Sequence, residues 1–66
     1  MELRVLKYFI TVAREESFSK AAKLLNVSQP ALSKQIKDLE DEYKTTLFNR
    51  TTRTVSLTEE GRLFKE

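Results

Sequence analysis

The sequence predicts a mainly α-helical domain: three helices that share one core, then a small β-hairpin and the start of a fourth helix. Apolar residues recur at helical spacing over residues 2–14 and again over residues 29–43. Between these two segments, a short helix and a tight turn leave no room for a linker. After Lys44 the chain changes to short alternating runs rich in threonine and valine, which are typical of strands.

Composition excludes several classes of function. With 66 residues the chain is expected to be one small domain or a piece of a larger protein, and a chain of this size buries only about 60% of its unfolded surface. It contains no cysteine and no histidine, so disulfides, thiolate metal sites and the usual general base are missing. An enzyme is therefore disfavoured, and no cofactor is expected. No apolar run approaches the roughly 20 residues that span a bilayer, so we expect a soluble, cytoplasmic protein without membrane contact.

The charges are unevenly distributed along the chain. Residues 1–37 hold seven basic and three acidic residues, whereas residues 38–44 hold one basic and four acidic residues. Residues 45–66 hold four basic and three acidic residues. The net charge of +2 is thus compatible with a directional field that attracts a polyanion such as DNA.

The first helix is predicted over roughly residues 2–14. One apolar stripe is expected to face the core, and further apolar residues flank it. The stripe consists of Leu3, Leu6, Ile10 and Ala13, and the flanking residues are Val5, Phe9 and Val12. Phe9 is also expected in the core, together with Phe48 and Leu57 of the later segments.

The second helix is short, roughly residues 19–25. Ser19 is the expected N-cap, because its hydroxyl can accept a hydrogen bond from a backbone N–H of the first turn. Asn26 is expected to end the helix in a left-handed conformation. Val27 should then point back into the core.

The third helix is predicted over residues 29–43. Ser28 can cap it, with Pro30 in its first turn, but a residue before proline disfavours helical angles, so Gln29 is an alternative cap. The buried arc is expected to contain Leu32, Ile36, Leu39 and Tyr43. The opposite face is polar and basic in its first half, through Pro30, Ser33, Lys34 and Lys37, and acidic in its second half, through Asp38, Glu40, Asp41 and Glu42. Only the first two turns can therefore approach DNA phosphates.

The segment after the third helix reads as a hairpin. Residues 47–50 and 54–57 form its predicted strands, and the connection at residues 51–53 brings Arg53 to the tip, with Arg50 nearby. Thr58 is the expected cap of a fourth helix, where Glu59 and Glu60 suit the positive end of the helix dipole. This helix is still running at Glu66, so the chain looks cut rather than finished.

The chain resembles the N-terminal DNA-binding domain of LysR-type transcriptional regulators over essentially all 66 residues. Many identities at fixed spacing carry the resemblance. They are Phe18-Ser19-Lys20-Ala21-Ala22, Leu25, Ser28-Gln29-Pro30-Ala31-Leu32-Ser33, Gln35-Ile36, Leu39-Glu40, Leu47-Phe48, Arg50, Arg53, Leu57-Thr58 and Gly61.

The resemblance implies a winged helix-turn-helix over residues 1–57, with residues 58–66 as the start of a linker and dimerisation helix. A larger domain that binds a small-molecule effector follows in the family and is absent from this sequence. Family members bind partly palindromic operator DNA as dimers or tetramers. This fragment alone is expected to dimerise weakly or not at all.

The candidate DNA-binding residues lie on the third helix and on the hairpin, or wing. The resemblance implies base reading by Gln29, Pro30 and Ser33, a basic contact from Lys34, and insertion of Arg53 into the minor groove. From the residue chemistry, Gln29 can pair with adenine and the ring of Pro30 can contact a thymine methyl group. Ser33 and Lys34 suit phosphate contacts. Further candidates for contacts to DNA are Ser28, Lys37, Arg50, Lys20 and Lys23.

The sequence departs from the family pattern at two positions. Tyr43-Lys44 stands where leucine-glycine is usual, and Thr52 stands where glycine is common in the wing. A left-handed Lys44 would cost about 1 kcal/mol relative to glycine. The rival function is a protein-interaction module, which would carry exposed apolar anchors. Pro30 is the only apolar group expected on the outer face of the third helix, which favours DNA.

Overall fold

The computed structural model describes residues 3–50 and 55–65, and the side chains of all of these except Arg50, Phe64 and Lys65. The predicted order of three helices, a hairpin and a fourth helix is confirmed. The elements are α1 (Leu3–Glu15), α2 (Phe18–Leu25), α3 (Gln29–Tyr43), β1 (Phe48–Arg50), β2 (Val55–Leu57) and α4 (Glu59–Lys65).

The predicted core face of α1 is wrong in part. Phe9 is fully buried, as predicted, and Val12 is fully buried although it was expected only to flank the stripe. Leu3 and Ile10 are exposed, at 82% and 38%. Of the predicted stripe, Ala13 does pack against the core. The reason is the large ring of Phe9. Because it removes more apolar surface from water than an aliphatic side chain does, its burial determines the rotation of α1.

A cluster of three aromatic rings joins the helices to the hairpin. The rings of Phe9 and Phe48 have centroids 5.3 Å apart, and those of Phe18 and Phe48 are 5.9 Å apart in an edge-on arrangement. Phe48 begins β1 and is only 2% exposed. The hairpin is therefore anchored in the helical core through Phe48, and its strands leave the core from a fixed point.

The helix-turn-helix is closed by local hydrogen bonds. The cap of α2 is Ser17 rather than the predicted Ser19: the Ser17 Oγ accepts from the Lys20 N–H at 3.1 Å. Because Phe18 is buried in the aromatic cluster, α2 begins one residue earlier than predicted, and Ser19 lies within its first turn. Asn26 is left-handed, with φ 58° and ψ 44°, as predicted. The Val27 N–H then donates to the Ala22 carbonyl at 3.0 Å, and Val27 packs against the core.

Among the described residues, the left-handed positions are occupied by Glu16, Asn26 and Lys44. Lys44, which stands where the family usually has glycine, adopts this conformation with φ 53° and ψ 43° at the C-terminus of α3. Glu16 was not predicted. Its N–H donates to the Val12 carbonyl at 2.8 Å and closes the last turn of α1. A side chain other than glycine or asparagine in this region costs about 1 kcal/mol.

The hairpin and the start of α4 are fastened to each other. The strands are antiparallel, with Phe48 opposite Leu57 and Arg50 opposite Val55. The Thr58 N–H donates to the Leu47 carbonyl at 2.9 Å, and the Thr58 hydroxyl donates to the Thr46 carbonyl at 2.6 Å. The predicted capping role of Thr58 is confirmed, because its Oγ1 also accepts from the Gly61 N–H at 2.9 Å.

Candidate nucleic-acid interface

The N-terminus of α3 is formed by a serine cap and a proline. Ser28 is extended, with φ −74° and ψ 151°, and its Oγ accepts from the Ala31 N–H at 3.2 Å. Ser28 is thus the N-cap of α3, and the alternative that Gln29 is the cap is wrong. Pro30 occupies the first turn, where the missing N–H has no intrahelical partner to lose.

Six of the eight candidate residues lie in the N-terminal half of α3 or at its cap, and we call this group the α3 surface. Five of them are exposed: Ser28, Gln29, Pro30, Lys34 and Lys37. The sixth, Ser33, is half-buried. The opposite side of α3 is buried through Leu32, Ile36 and Leu39, as predicted. The core therefore fixes the rotation of α3 and keeps the polar row turned outward.

Two expectations about α3 are corrected. Tyr43 is 45% exposed, because it lies in the last turn where the core has ended. Ala31 is also exposed, so Pro30 is not the only apolar residue on the outer side. Ala31 lies beside the buried arc and not directly opposite it, so helical periodicity alone did not predict its exposure. A small methyl group beside Pro30 leaves room for close approach and can contact a thymine methyl.

Lys34 has a partner on its own helix. Its Nζ lies 3.0 Å from Asp38 Oδ2, with the two side chains 75% and 55% exposed. The spacing of four residues is the signal by which the sequence could have revealed this pair. Lys37 is exposed and makes no ion pair with any residue that the structure describes. The two lysines of the α3 surface therefore differ electrostatically.

Glu40 does not belong to the exposed acidic half of α3, contrary to the prediction. It is half-buried, and its Oε2 accepts from the Leu47 N–H at 2.8 Å and from the Phe48 N–H at 3.2 Å. Hydrogen bonds from backbone N–H groups to a charged carboxylate are stronger than those to a neutral acceptor. Glu40 thereby joins α3 to β1 and sets the position of the hairpin relative to the α3 surface.

The hairpin candidates are only partly described. Arg50 lies in β1 opposite Val55, but its side chain is outside the description. Arg53, at the predicted tip, falls within residues 51–54, which also lie outside the described residues, as does Thr52. The contacts expected from these residues therefore stay predictions. Lys20 and Lys23 are exposed on α2.

Two other kinds of site were sought in the described part of the chain. Within residues 3–50 and 55–65, no group of three or more acidic, histidine or cysteine side chains is arranged to hold a metal ion. None of the helices found there is long and apolar enough to cross a membrane.

A helix-turn-helix followed by an antiparallel hairpin defines the class of winged helix-turn-helix domains. The chain belongs to the lysR family of bacterial regulatory helix-turn-helix proteins, whose family model matches residues 3–62. The resemblance stated from the sequence is confirmed.

Curated relatives and solved structures agree with this family. The chain is 61% identical to the HTH-type transcriptional regulator BudR of Klebsiella aerogenes, over the whole chain and 46% of that protein. It is 58% identical to AlsR of Bacillus subtilis (strain 168), over 97% of the chain and 21% of that protein. The chain thus spans less than half the length of these relatives.

Two structures of DNA complexes share the fold. A complex of BenM DBD with catB site 1 DNA matches with a TM-score of 0.94 and 49% identity, covering 98% of this chain and 73% of that one. Full-length CbnR complexed with its target DNA matches with a TM-score of 0.94 and 43% identity, covering 98% of this chain and 23% of that one.

Proposed function

We propose that this chain is the operator-reading domain of a bacterial LysR-type transcriptional regulator, with α3 in the major groove and the hairpin at the adjacent minor groove. The observation that carries the proposal is the α3 surface: a row of exposed polar and basic side chains on a helix whose other side is buried. The BenM DBD and CbnR structures, with TM-scores of 0.94, are DNA complexes, which supports the same function here.

The residues of the α3 surface take different roles in this proposal. Gln29 reads a base, because its amide can donate to and accept from adenine at the same time. Pro30 contacts a thymine methyl group, and Ser33 lies near enough to the first turn to contact either a base edge or a phosphate. Ser28, Lys34 and Lys37 contact phosphates and hold the helix in the groove.

The hairpin supplies the remaining contacts. Arg53 enters the minor groove, where A·T-rich narrowing concentrates negative potential. Arg50 contacts phosphate beside it. Glu40 supports this geometry, since it fastens β1 to α3 and so relates the two contact regions to each other.

In the whole regulator, residues 1–57 are the DNA-reading domain and residues 58–66 begin the helix that pairs two subunits. A two-fold protein matches the two half-sites of a partly palindromic operator. The effector site and the assembly into dimers or tetramers belong to the rest of the regulator. The 66-residue chain alone should be monomeric or weakly dimeric, which sedimentation at micromolar concentration would show.

The test separates base reading from phosphate binding. The preferred duplex is first selected from a random pool, and affinities are then measured on that duplex and on a random one at several salt concentrations. Gln29→Ala should cost roughly 1–3 kcal/mol on the preferred duplex only. Lys34→Ala should weaken both duplexes alike and lower the salt slope by about 0.9.

A matched control is Lys7→Ala, which removes the same charge from an exposed position of α1 that is not part of the α3 surface. Its effect on the salt slope should be smaller than that of Lys34→Ala. Equal losses on both duplexes for Gln29→Ala and Lys34→Ala would show that the assigned roles are wrong. Wild-type binding that does not change with salt would contradict DNA binding through phosphates altogether.

A further inference from the structure

The ion pair between Lys34 and Asp38 has the less stabilising order for a helix. In an isolated helix, an acidic residue four positions before a basic one is the favourable order, because it agrees with the helix dipole. Here the order is reversed, with the lysine first and the aspartate four residues later. The pair nevertheless forms at 3.0 Å on the outward side of α3, where Lys34 belongs to the α3 surface.

The pair is also easily broken. Both side chains are mostly in water, at 75% and 55% exposure, so their attraction is strongly screened. A DNA phosphate that approaches the ammonium group of Lys34 therefore competes with the Asp38 carboxylate on nearly equal terms. A phosphate that contacts Lys34 has to share its ammonium group with the Asp38 carboxylate or displace that carboxylate, whereas Lys37 meets phosphate with no ion pair to any described residue.

We propose that Asp38 is an affinity-lowering residue of the DNA interface that acts through Lys34. This inference rests on the proposed function, because it requires Lys34 to contact phosphate. Asp38 reduces the affinity for duplexes of any sequence, since the competition involves the phosphate and not the bases. Removing the Asp38 charge should strengthen binding by about two- to fivefold, the upper value being equivalent to about 1 kcal/mol for an exposed pair.

The experiment is a double-mutant cycle in which the dissociation constant for a random-sequence duplex is measured by fluorescence anisotropy. The salt concentration is about 0.1 M, where a Debye length of about 10 Å preserves short-range attraction. The proteins are wild type, Asp38→Asn, Lys34→Ala and the double variant. Asp41→Asn is the matched control: it lies three residues further along α3, is exposed and has no ion pair to a described residue. Circular dichroism checks that every variant keeps the wild-type fold.

The expected result is that Asp38→Asn binds two- to fivefold more tightly than wild type, clearly more than Asp41→Asn. In the Lys34→Ala background the gain from Asp38→Asn should fall to that of the control. An equal gain with and without Lys34, or no gain beyond Asp41→Asn, overturns the proposal and leaves DNA binding by the domain intact. If wild type fails to bind duplex in a salt-dependent way, the proposed function fails and this inference fails with it.

Discussion

The carboxylate of Glu40 offers the sharpest test of how the hairpin is held. Glu40→Ala removes the shared acceptor of the Leu47 and Phe48 N–H groups, which it binds at 2.8 and 3.2 Å. Both of these residues are buried, at 0% and 2% exposure, so water cannot fully replace the carboxylate. A buried donor left without an acceptor costs about 1–3 kcal/mol.

For two donors with partial hydration, we expect Glu40→Ala to lower the free energy of unfolding by about 2–4 kcal/mol. The free energy of unfolding of a small domain is only about 5–15 kcal/mol in total. The loss should therefore be clearly measurable in urea unfolding monitored by circular dichroism. Glu40→Gln keeps an amide oxygen as acceptor but not the charge, which roughly halves each hydrogen bond. It should therefore lose about 1–2 kcal/mol.

The control for charge alone is Asp41→Ala, on the neighbouring exposed position of α3. It should change the free energy of unfolding by no more than about 0.5 kcal/mol. If Glu40→Ala is as stable as Asp41→Ala, the two hydrogen bonds contribute nothing and the account of the hairpin's attachment is refuted.

Three other predictions concern single residues. Lys44→Gly should stabilise the fold by roughly 0.5–1 kcal/mol, because glycine adopts the observed φ of 53° without strain; a lower melting temperature would contradict this. Ser17→Ala should cost about 1 kcal/mol as the loss of the α2 cap, whereas Ser19→Ala should be nearly neutral, and the reverse order in denaturant unfolding would restore Ser19 as the cap. Arg53→Ala should weaken binding and reduce the preference for A·T-rich flanks, and a footprint unchanged in both respects would exclude minor-groove insertion.

Local signals in the sequence were sufficient for α3. Ser28 and Pro30 fix its beginning through hydrogen bonds and angles within four residues, and its bounds of 29–43 were predicted correctly. The rotation of α1 was not predictable in the same way. Apolar residues cover more than one side of α1, and the choice between the sides depends on the ring of Phe48, which is far away in the sequence.

The candidate site was predictable to the extent that exposure follows from the buried side of α3. The row from Ser28 to Lys37 needed only helical periodicity and a cap. The role of Glu40 could not be predicted, because its partners are backbone groups brought close by the turn at Lys44. The cap of α2 was mispredicted because the burial of Phe18 decides where this helix begins. Phe18 lies in the core and is the first residue of α2, so the cap is the preceding residue, Ser17.

The chain's one glycine sets the direction in which α4 leaves the domain. Gly61 is buried, and an added Cβ would overlap the carbonyl oxygen of Leu47 and approach Leu57 Cδ2 to 2.9 Å. With any side chain at this position, the first turn of α4 has to move by on the order of 1 Å before its contacts with Leu47 and Leu57 reach normal distances. A rigid helix multiplies such a tilt along its length, at 1.5 Å of rise per residue. Gly61 therefore fixes the direction of α4 relative to the hairpin, and in the two-fold regulator that we propose this direction would set the distance between the two α3 surfaces.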